Sequence, residues 1–133
     1  MWLLKTEPSA YSYADLERDG RTTWDGVKNP VAVRNLREMK VEEEAFVYHT
    51  GDEKAVVGTA RVVRAAYTDP KGRNPRLAVI DIEAAARLVR PVTLGEIKAS
   101  PAFADSPLVR QGRLSVVPLT RAQWDFIVAK GRR

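Results

Sequence analysis

The sequence of 133 residues lacks cysteine and contains a single histidine, His49. Without cysteine the chain can form neither a disulfide nor a thiolate-bound metal site. One histidine also argues against zinc, because zinc sites usually take several His or Cys ligands. We therefore expect a protein that works without a metal or any other cofactor.

Long hydrophobic runs are absent as well. No apolar stretch approaches the ~20 residues that a membrane-spanning helix needs. The N-terminal segment MWLLKTEP turns polar after its first four residues, which is too short for the apolar part of a signal peptide. We expect a cytoplasmic protein with no membrane partner, built as one domain over residues 1–133.

The common sequence motifs of enzymes are missing too. Neither a P-loop nor a GxGxxG pattern occurs, so nucleotide cofactors have no support. A nucleophilic triad would have to use His49, Ser115 and one of several Asp residues. The segment RLSVV around Ser115 reads as the interior of a strand and lacks the strained turn of a nucleophile elbow. The sequence therefore favours a binding protein over an enzyme.

Positive charge is unevenly distributed along the chain. Residues 1–60 contain eight Lys/Arg and eleven Asp/Glu, whereas residues 61–133 contain fourteen Lys/Arg and six Asp/Glu. A bias of this kind indicates a polyanionic partner, although a solvated basic surface would show it equally.

The hydrophobic pattern changes period several times along the chain. Capping boxes at Ser12, Thr93 and Thr120 each begin a short helix. Gly58, inside a run of β-branched residues, indicates a bulge or a close backbone approach. Strands are predicted over residues 2–5, 45–50, 55–64, 77–83 and 113–119. This mixture predicts an α+β fold with a strongly bent or barrel-like sheet and helices at its ends.

The segment 23–30, TWDGVKNP, is predicted to be a loop, because Asp-Gly and Asn-Pro are turn dipeptides. Asn29 can cap the following helix, with Pro30 at its first position. A tryptophan among turn residues has two explanations. Trp24 either contributes buried area to the core, or the loop presents its indole to a cavity.

Several aromatic residues near strand ends suggest a binding cavity. Trp24, Tyr48, His49 and Tyr67 could supply the flat faces that hold a base removed from its stack. Lys5 and Asn29 could then hydrogen-bond to the edge of the base. The alternative for Tyr48 and His49 is ordinary packing within a strand.

Four segments, in this order, together resemble the EVE domain, a PUA-like family related to the YTH and ASCH domains, and the similarity spans nearly the whole chain. The resemblance implies a mixed β pseudo-barrel flanked by short helices, with a pocket for a modified nucleobase. The segments are WLLKTEPSAYSYADL, TTWDGVKNPVAVRNLREMK, FVYHTGDEKAVVGTARVVRAAYTDP and RLSVVPLTRAQWDFI.

The resemblance also implies positions for the site. Trp24 would be an aromatic wall and Tyr67 a second wall, while Lys5 and Thr6 would face the base edge. The remaining pocket positions implied are Asn29, Tyr48, His49 and Ser115. The candidates for phosphate contacts are Arg61, Arg64, Lys71, Arg73, Arg76 and Arg113, followed by Lys130, Arg132 and Arg133 near the C-terminus.

From these observations we expect a monomeric, non-enzymatic module that recognises a modified nucleobase in DNA or RNA. The resemblance points to 5-methylcytosine or 5-hydroxymethylcytosine in DNA, and through the YTH domains to N6-methyladenosine in RNA. Two alternatives stay open at this point. One is a pocket that senses a small molecule, and the other is an accessory factor or enzyme of nucleic-acid modification.

Overall fold

A six-stranded mixed sheet lies at the centre of the fold. The computed structural model describes residues 1–72 and 74–132. The strands are β1 (Trp2–Thr6), β2 (Arg21–Trp24), β3 (Glu44–His49), β4 (Ala55–Tyr67), β5 (Val79–Thr93) and β6 (Val116–Pro118). The helices are α1 (Tyr13–Asp19), α2 (Pro30–Glu38), α3 (Leu94–Lys98), α4 (Pro107–Arg110) and α5 (Arg121–Gly131), with one 3-10 turn at Pro101–Phe103.

The sheet has the strand order β2-β5-β4-β3-β1-β6. Only the pair β1–β3 is parallel among the described strands, and the other pairs are antiparallel. In a flat sheet β2 and β1 would lie about 19 Å apart, at the usual spacing of ~4.8 Å per strand. Residues of both strands nevertheless line one cavity. The sheet is therefore strongly curled, as the sequence predicts.

The core lies between the concave sheet and the helices. Residues 45–49 of β3 are all buried, and Phe46 stacks on Trp124 of α5 with ring centroids 3.9 Å apart. Helix α2 contributes the buried residues Ala32, Val33, Asn35 and Leu36. The Asn35 Nδ2 donates to the Val116 carbonyl oxygen at 2.8 Å, so this buried amide is satisfied while it ties α2 to the edge strand.

The predicted helix starts are confirmed. Ser12, Thr93 and Thr120 each accept a hydrogen bond from the backbone three residues on, and each makes the reciprocal bond of a capping box. Asn29 caps α2 with Pro30 at the first position. These are local interactions within a few residues, and for that reason the sequence predicts them well.

The bulge predicted at Gly58 is confirmed, and the group that approaches this glycine closely is a side chain. The pairing of β4 with β3 and with β5 shifts register around Gly58. A Cβ at this position would lie 2.4 Å from two carbons of the Tyr13 ring. The Tyr13 hydroxyl donates to the Thr59 carbonyl oxygen at 2.7 Å, so the phenol lies flat across the bulge. Helix α1 is thereby fixed against the sheet.

One loop prediction and one strand prediction are wrong in extent. The segment 23–30 is not a loop throughout, because Thr23 and Trp24 end β2 and pair with Asp81 and Ile80 of β5. Strand β5 runs through residue 93, ten residues beyond its predicted end. Both differences arise from pairing between distant segments, which provides the backbone with hydrogen bonds that local propensity does not reveal.

A charged network at the start of α3 predicts how stability depends on pH. Arg90 donates to the Glu96 carboxylate from Nη1 and Nη2 of its guanidinium group, at 3.0 and 2.7 Å. This pair and the Thr93 backbone N–H lower the pKa of the Glu96 carboxyl from 4.5 to about 2. A carboxylate whose pKa is lower in the folded state stabilises the fold above its unfolded pKa, and that contribution is lost as the pH falls from 4.5 towards 2.

We therefore expect Glu96→Gln to be less stable than the wild type at neutral pH. The difference in free energy of unfolding should shrink as the pH falls below 4.5, because the wild-type carboxyl then also becomes neutral. Urea unfolding of both proteins at a series of pH values measures this. A difference that stays constant down to pH 2 would contradict the assignment.

Candidate nucleic-acid interface

A cavity of about 470 Å³ opens between the end of β1 and the end of β2. Its volume falls within the range of roughly 300–1,000 Å³ that is usual for small-ligand sites. The sequence-predicted residues Lys5, Thr6, Trp24 and Ser115 all contribute to it. The other lining residues are Ala10, Tyr11, Thr22, Thr23, Asp25, Gly26 and Val27. We call this space the Trp24 cavity.

Two aromatic rings form a corner of the Trp24 cavity. The rings of Trp24 and Tyr11 lie edge to face, with centroids 6.2 Å apart and planes at 85°. The Tyr11 hydroxyl donates to Asp19 Oδ2 at 2.8 Å, which holds the ring in place. Burial raises the pKa of this phenol, so Tyr11 is neutral at physiological pH. A planar ligand can stack on one ring while its edge contacts the other.

The backbone after Trp24 shapes the rim of the cavity. Trp24 is held by its pairing with Ile80 at the end of β2. Gly26 then adopts a φ of +76°, a conformation that favours glycine and turns the chain sharply towards α2. The indole is only 7% exposed, yet it lines the cavity. Both explanations offered by the sequence therefore apply to this residue, since it packs in the core and also borders a cavity.

Polar groups lie on the side of the cavity formed by β1. The Lys5 Nζ donates to the Gly112 carbonyl oxygen at 2.9 Å, and the Lys5 backbone N–H donates to the Ser115 carbonyl oxygen at 2.9 Å. Partial burial lowers the pKa of the Lys5 ammonium. Asp25 adds an exposed carboxylate at the rim. The lining thus combines a lysine, a serine and a carboxylate with an aromatic corner, and these residue types can hydrogen-bond to the edge of a heterocycle.

Asn29 and His49 are not among the residues that line the Trp24 cavity. The Asn29 side-chain oxygen accepts from the backbone N–H groups of Val31 and Ala32, at 2.9 and 3.1 Å. The buried His49 Nε2 accepts from the backbone N–H of Tyr13 at 2.9 Å. Its Nδ1 lies 2.8 Å from Glu53 Oε1, so the ring proton is on Nδ1 and is donated to Glu53. Both residues fix the start of a helix.

Tyr48 and Tyr67 lie elsewhere as well. Tyr48 lines a second cavity of about 180 Å³, which borders the Trp24 cavity through their shared residue Lys5. The Lys5 ammonium is 5.6 Å from the centre of the Tyr48 ring. The Tyr67 hydroxyl donates to Asp81 Oδ1 at 2.6 Å, and Arg64 stacks 3.6 Å above its ring. The second wall of the Trp24 cavity is therefore Tyr11 in place of Tyr67.

The sequence gives little sign of the role of Tyr11. It directly precedes the helix cap Ser12, where an apolar residue ordinarily packs back on its own helix. In the structure its ring contacts Trp24, thirteen positions further along the chain.

The basic residues fall into two groups. Arg61 is bound to Glu42 and to Glu83, so its charge is already compensated. Arg64 stacks on Tyr67. Lys71, Arg76, Arg113, Lys130 and Arg132 are exposed. Arg73 and Arg133 lie outside the described residues.

Neither a metal site nor a membrane span is found in the described part of the chain. No group of three His, Asp or Glu side chains there is placed to hold a metal ion. No helix within residues 1–72 and 74–132 has the length and apolar character to cross a membrane.

Comparison with known protein families identifies the family of this chain. The model of the EVE domain matches residues 1–130. The chain belongs to the EVE domain family. The thymocyte nuclear protein 1 of Rattus norvegicus is 32% identical over 163 residues, covering 96% of this chain and 72% of the rat protein.

Solved structures of similar proteins superpose closely on this chain. Protein Atu2648 from Agrobacterium tumefaciens has a TM-score of 0.94 at 32% identity, covering 98% of this chain and 91% of its own. Human THYN1 in complex with 5-methylcytosine containing DNA has a TM-score of 0.91 at 29% identity, covering 99% of this chain and 97% of its own. The predicted family and the predicted α+β, PUA-like fold are confirmed.

Proposed function

We propose that this EVE domain is a non-enzymatic module that binds DNA and holds a modified base in the Trp24 cavity. The observation that carries this is the aromatic corner of Trp24 and Tyr11, beside the hydrogen-bonding groups of Lys5, Asp25 and Ser115. The likeness to human THYN1, which was solved with 5-methylcytosine containing DNA, supports DNA as the partner.

The cavity suits a cytosine that has left the base stack. Its ring would stack on the indole of Trp24, an interaction of roughly 1–3 kcal/mol per base. The Asp25 carboxylate would accept from the exocyclic amine, as acidic side chains do from cytosine N4. Lys5 and the Ser115 hydroxyl would donate to the acceptors on the ring. Val27, at the apolar side of the cavity, would contact a 5-methyl group.

The absence of catalysis is part of the proposal. Among the described residues the lining holds one carboxylate, Asp25, and no histidine. General acid–base catalysis needs a positioned acid and a positioned base whose pKa values suit the reaction. The described lining does not contain two such groups. A cytoplasmic location, a monomeric state and a single domain over residues 1–133 stay predictions, and the rat relative bears the word nuclear in its name.

Fluorescence titration with short oligonucleotides tests this function. The set is single-stranded DNA with cytosine, 5-methylcytosine or 5-hydroxymethylcytosine, and RNA with or without N6-methyladenosine. A buried methyl group contributes ~0.8 kcal/mol, so we expect methylated DNA to bind about fourfold more tightly than plain DNA. Asp25→Ala should weaken binding of every cytosine-containing strand in the cavity while leaving the salt dependence unchanged.

Two results would contradict the proposed function. Equal binding of all strands, governed by salt alone, would leave a basic surface without base recognition. Saturable binding of a free nucleoside that matches the oligonucleotide affinity and does not respond to salt would point to a small-molecule sensor.

A further inference from the structure

A groove of about 400 Å³ runs between α2 and the segment 74–77. We call it the α2 groove. Four cationic side chains line it, namely Lys28, Arg34, Arg37 and Arg76, and its described lining holds no carboxylate. Pro30, Val33 and Leu77 supply an apolar floor. Cations around an apolar floor match a sugar–phosphate backbone, which presents anionic oxygens beside apolar sugar carbons.

The four cations of the α2 groove are in none of the ion pairs found within residues 1–72 and 74–132. The arginines that do form ion pairs there are Arg18, Arg21, Arg61, Arg87, Arg90, Arg110 and Arg121. Four like charges placed together repel one another, which disfavours the arrangement in the free protein. A polyanion bound in the groove would remove that repulsion.

The guanidinium of Arg37 is held in position within the groove. Its Nη2 donates to the Arg76 carbonyl oxygen at 2.9 Å, which links α2 to the segment 74–77. Arg34 lies one turn earlier on the same face of the helix, at the i, i+3 spacing that makes two side chains neighbours. The groove therefore presents adjacent guanidinium groups, and one of them is oriented by the backbone.

The α2 groove adjoins the Trp24 cavity along the chain. Val27 lines the cavity and the next residue, Lys28, lines the groove, so their Cα atoms are ~3.8 Å apart. Phosphates along one strand of DNA follow one another at about 3.4 Å of axial rise. Since the cavity and the groove have neighbouring residues in their linings, a strand with one base in the cavity would have its flanking phosphates near the groove.

We propose that the α2 groove binds the backbone of the DNA whose base enters the Trp24 cavity. This inference rests on the proposed function and extends it by naming where the phosphates lie. It places the main phosphate contacts on α2, in the half of the chain with the lower formal charge, and leaves out the paired Arg61.

The salt dependence of binding tests the groove. The double variant Arg34→Gln/Arg37→Gln removes two unpaired charges, and the control Arg61→Gln/Arg87→Gln removes two charges that carboxylates already compensate. Each phosphate contact contributes ~0.7–0.9 to the slope of log K against log salt. The groove variant should therefore lose about 1.4–1.8 from the slope, and the control should keep the wild-type slope. Thermal unfolding verifies that both variants fold.

The outcomes separate the groove from the base cavity. An equal loss of slope in both variants would contradict the groove as the phosphate site, because the salt dependence would then follow the net charge of the protein alone. An unchanged slope in the groove variant, with methylated DNA still preferred, would overturn the groove and spare the proposed function. A reduced slope in a protein that does not prefer methylated DNA would support the groove and contradict the cavity. If polyglutamate bound the wild type as tightly as DNA does, the groove would be a site for any polyanion, which would contradict its assignment to the DNA backbone.

Discussion

Replacing Gly58 by alanine is expected to destabilise the fold by ~3 kcal/mol or more. The added Cβ would lie 2.4 Å from carbons of the Tyr13 ring, a distance that real Cβ atoms do not tolerate. Relief requires the ring to move, but Tyr13 is 1% exposed and held at both ends. Its hydroxyl donates to Thr59 and its backbone N–H donates to His49. Overpacking in a rigid core costs ~1–3 kcal/mol and occasionally more.

Urea unfolding measures the effect, and Gly112→Ala is its matched control. A Cβ at Gly112 meets no atom within 4 Å, so this variant should stay within ~0.5 kcal/mol of the wild type. Gly58→Ala should lower the unfolding midpoint with little change in the denaturant slope. In the Tyr13→Leu background, Gly58→Ala should lower the free energy of unfolding by less, because the ring that overlaps with the added Cβ is absent. Equal stability of the two alanine variants would contradict the packing described around Gly58.

The features that the sequence predicts correctly are mostly local. The caps at Ser12, Asn29, Thr93 and Thr120 involve side chains and backbone groups two or three residues apart. Gly58 is a local anomaly within a β-branched run, so it also marks a real feature. What Gly58 accommodates was not predictable, since Tyr13 lies forty-five positions earlier in the chain.

The parts that the sequence does not reveal depend on pairing and packing at a distance. Strand β2 exists because β5 offers it hydrogen bonds, and its last residue, Trp24, is oriented by that pairing. Tyr11 becomes a cavity wall only because α1 packs beside β2. The residue pattern suggests Trp24 and Lys5 as cavity residues, and the family resemblance adds Thr6 and Ser115. Asn29, Tyr48, His49 and Tyr67 do not line the Trp24 cavity.

Charge counting along the chain does not locate the cations that lie outside ion pairs, for a similar reason. The segment 61–133 carries the excess of Lys/Arg, yet several of its arginines are bound to carboxylates. Three of the four cations in the α2 groove belong to the segment 1–60, which has a net negative count. A polyanion binds where unpaired positive charges lie together at the surface, and the folded structure is needed to locate them.

Replacing Trp24 by leucine is expected to abolish most of the preference for methylated DNA. The side chain remains apolar and large, so part of the core packing survives, but the flat face on which a base would stack is lost. Stacking contributes roughly 1–3 kcal/mol per base, so affinity for the 5-methylcytosine single strand should fall about 5- to 150-fold. Affinity for the matching cytosine strand should fall about fourfold less, because both bases would stack in the cavity and only the contribution of the methyl contact differs between them. Binding of plain duplex DNA, which depends on phosphate contacts, should change little. Fluorescence anisotropy of labelled oligonucleotides measures both.

Trp124 provides the control, because it is buried as deeply as Trp24 but faces the core. The two indoles are 6% and 7% exposed, and Trp124 stacks on Phe46. Trp124→Leu should therefore lose comparable stability, less than the ~3–5 kcal/mol typical of truncation to alanine, and keep the preference for methylated DNA. If Trp24→Leu also kept that preference, Trp24 would act only as a core residue. We expect the preference for methylated DNA to depend on Trp24, whose indole borders both the core and the cavity.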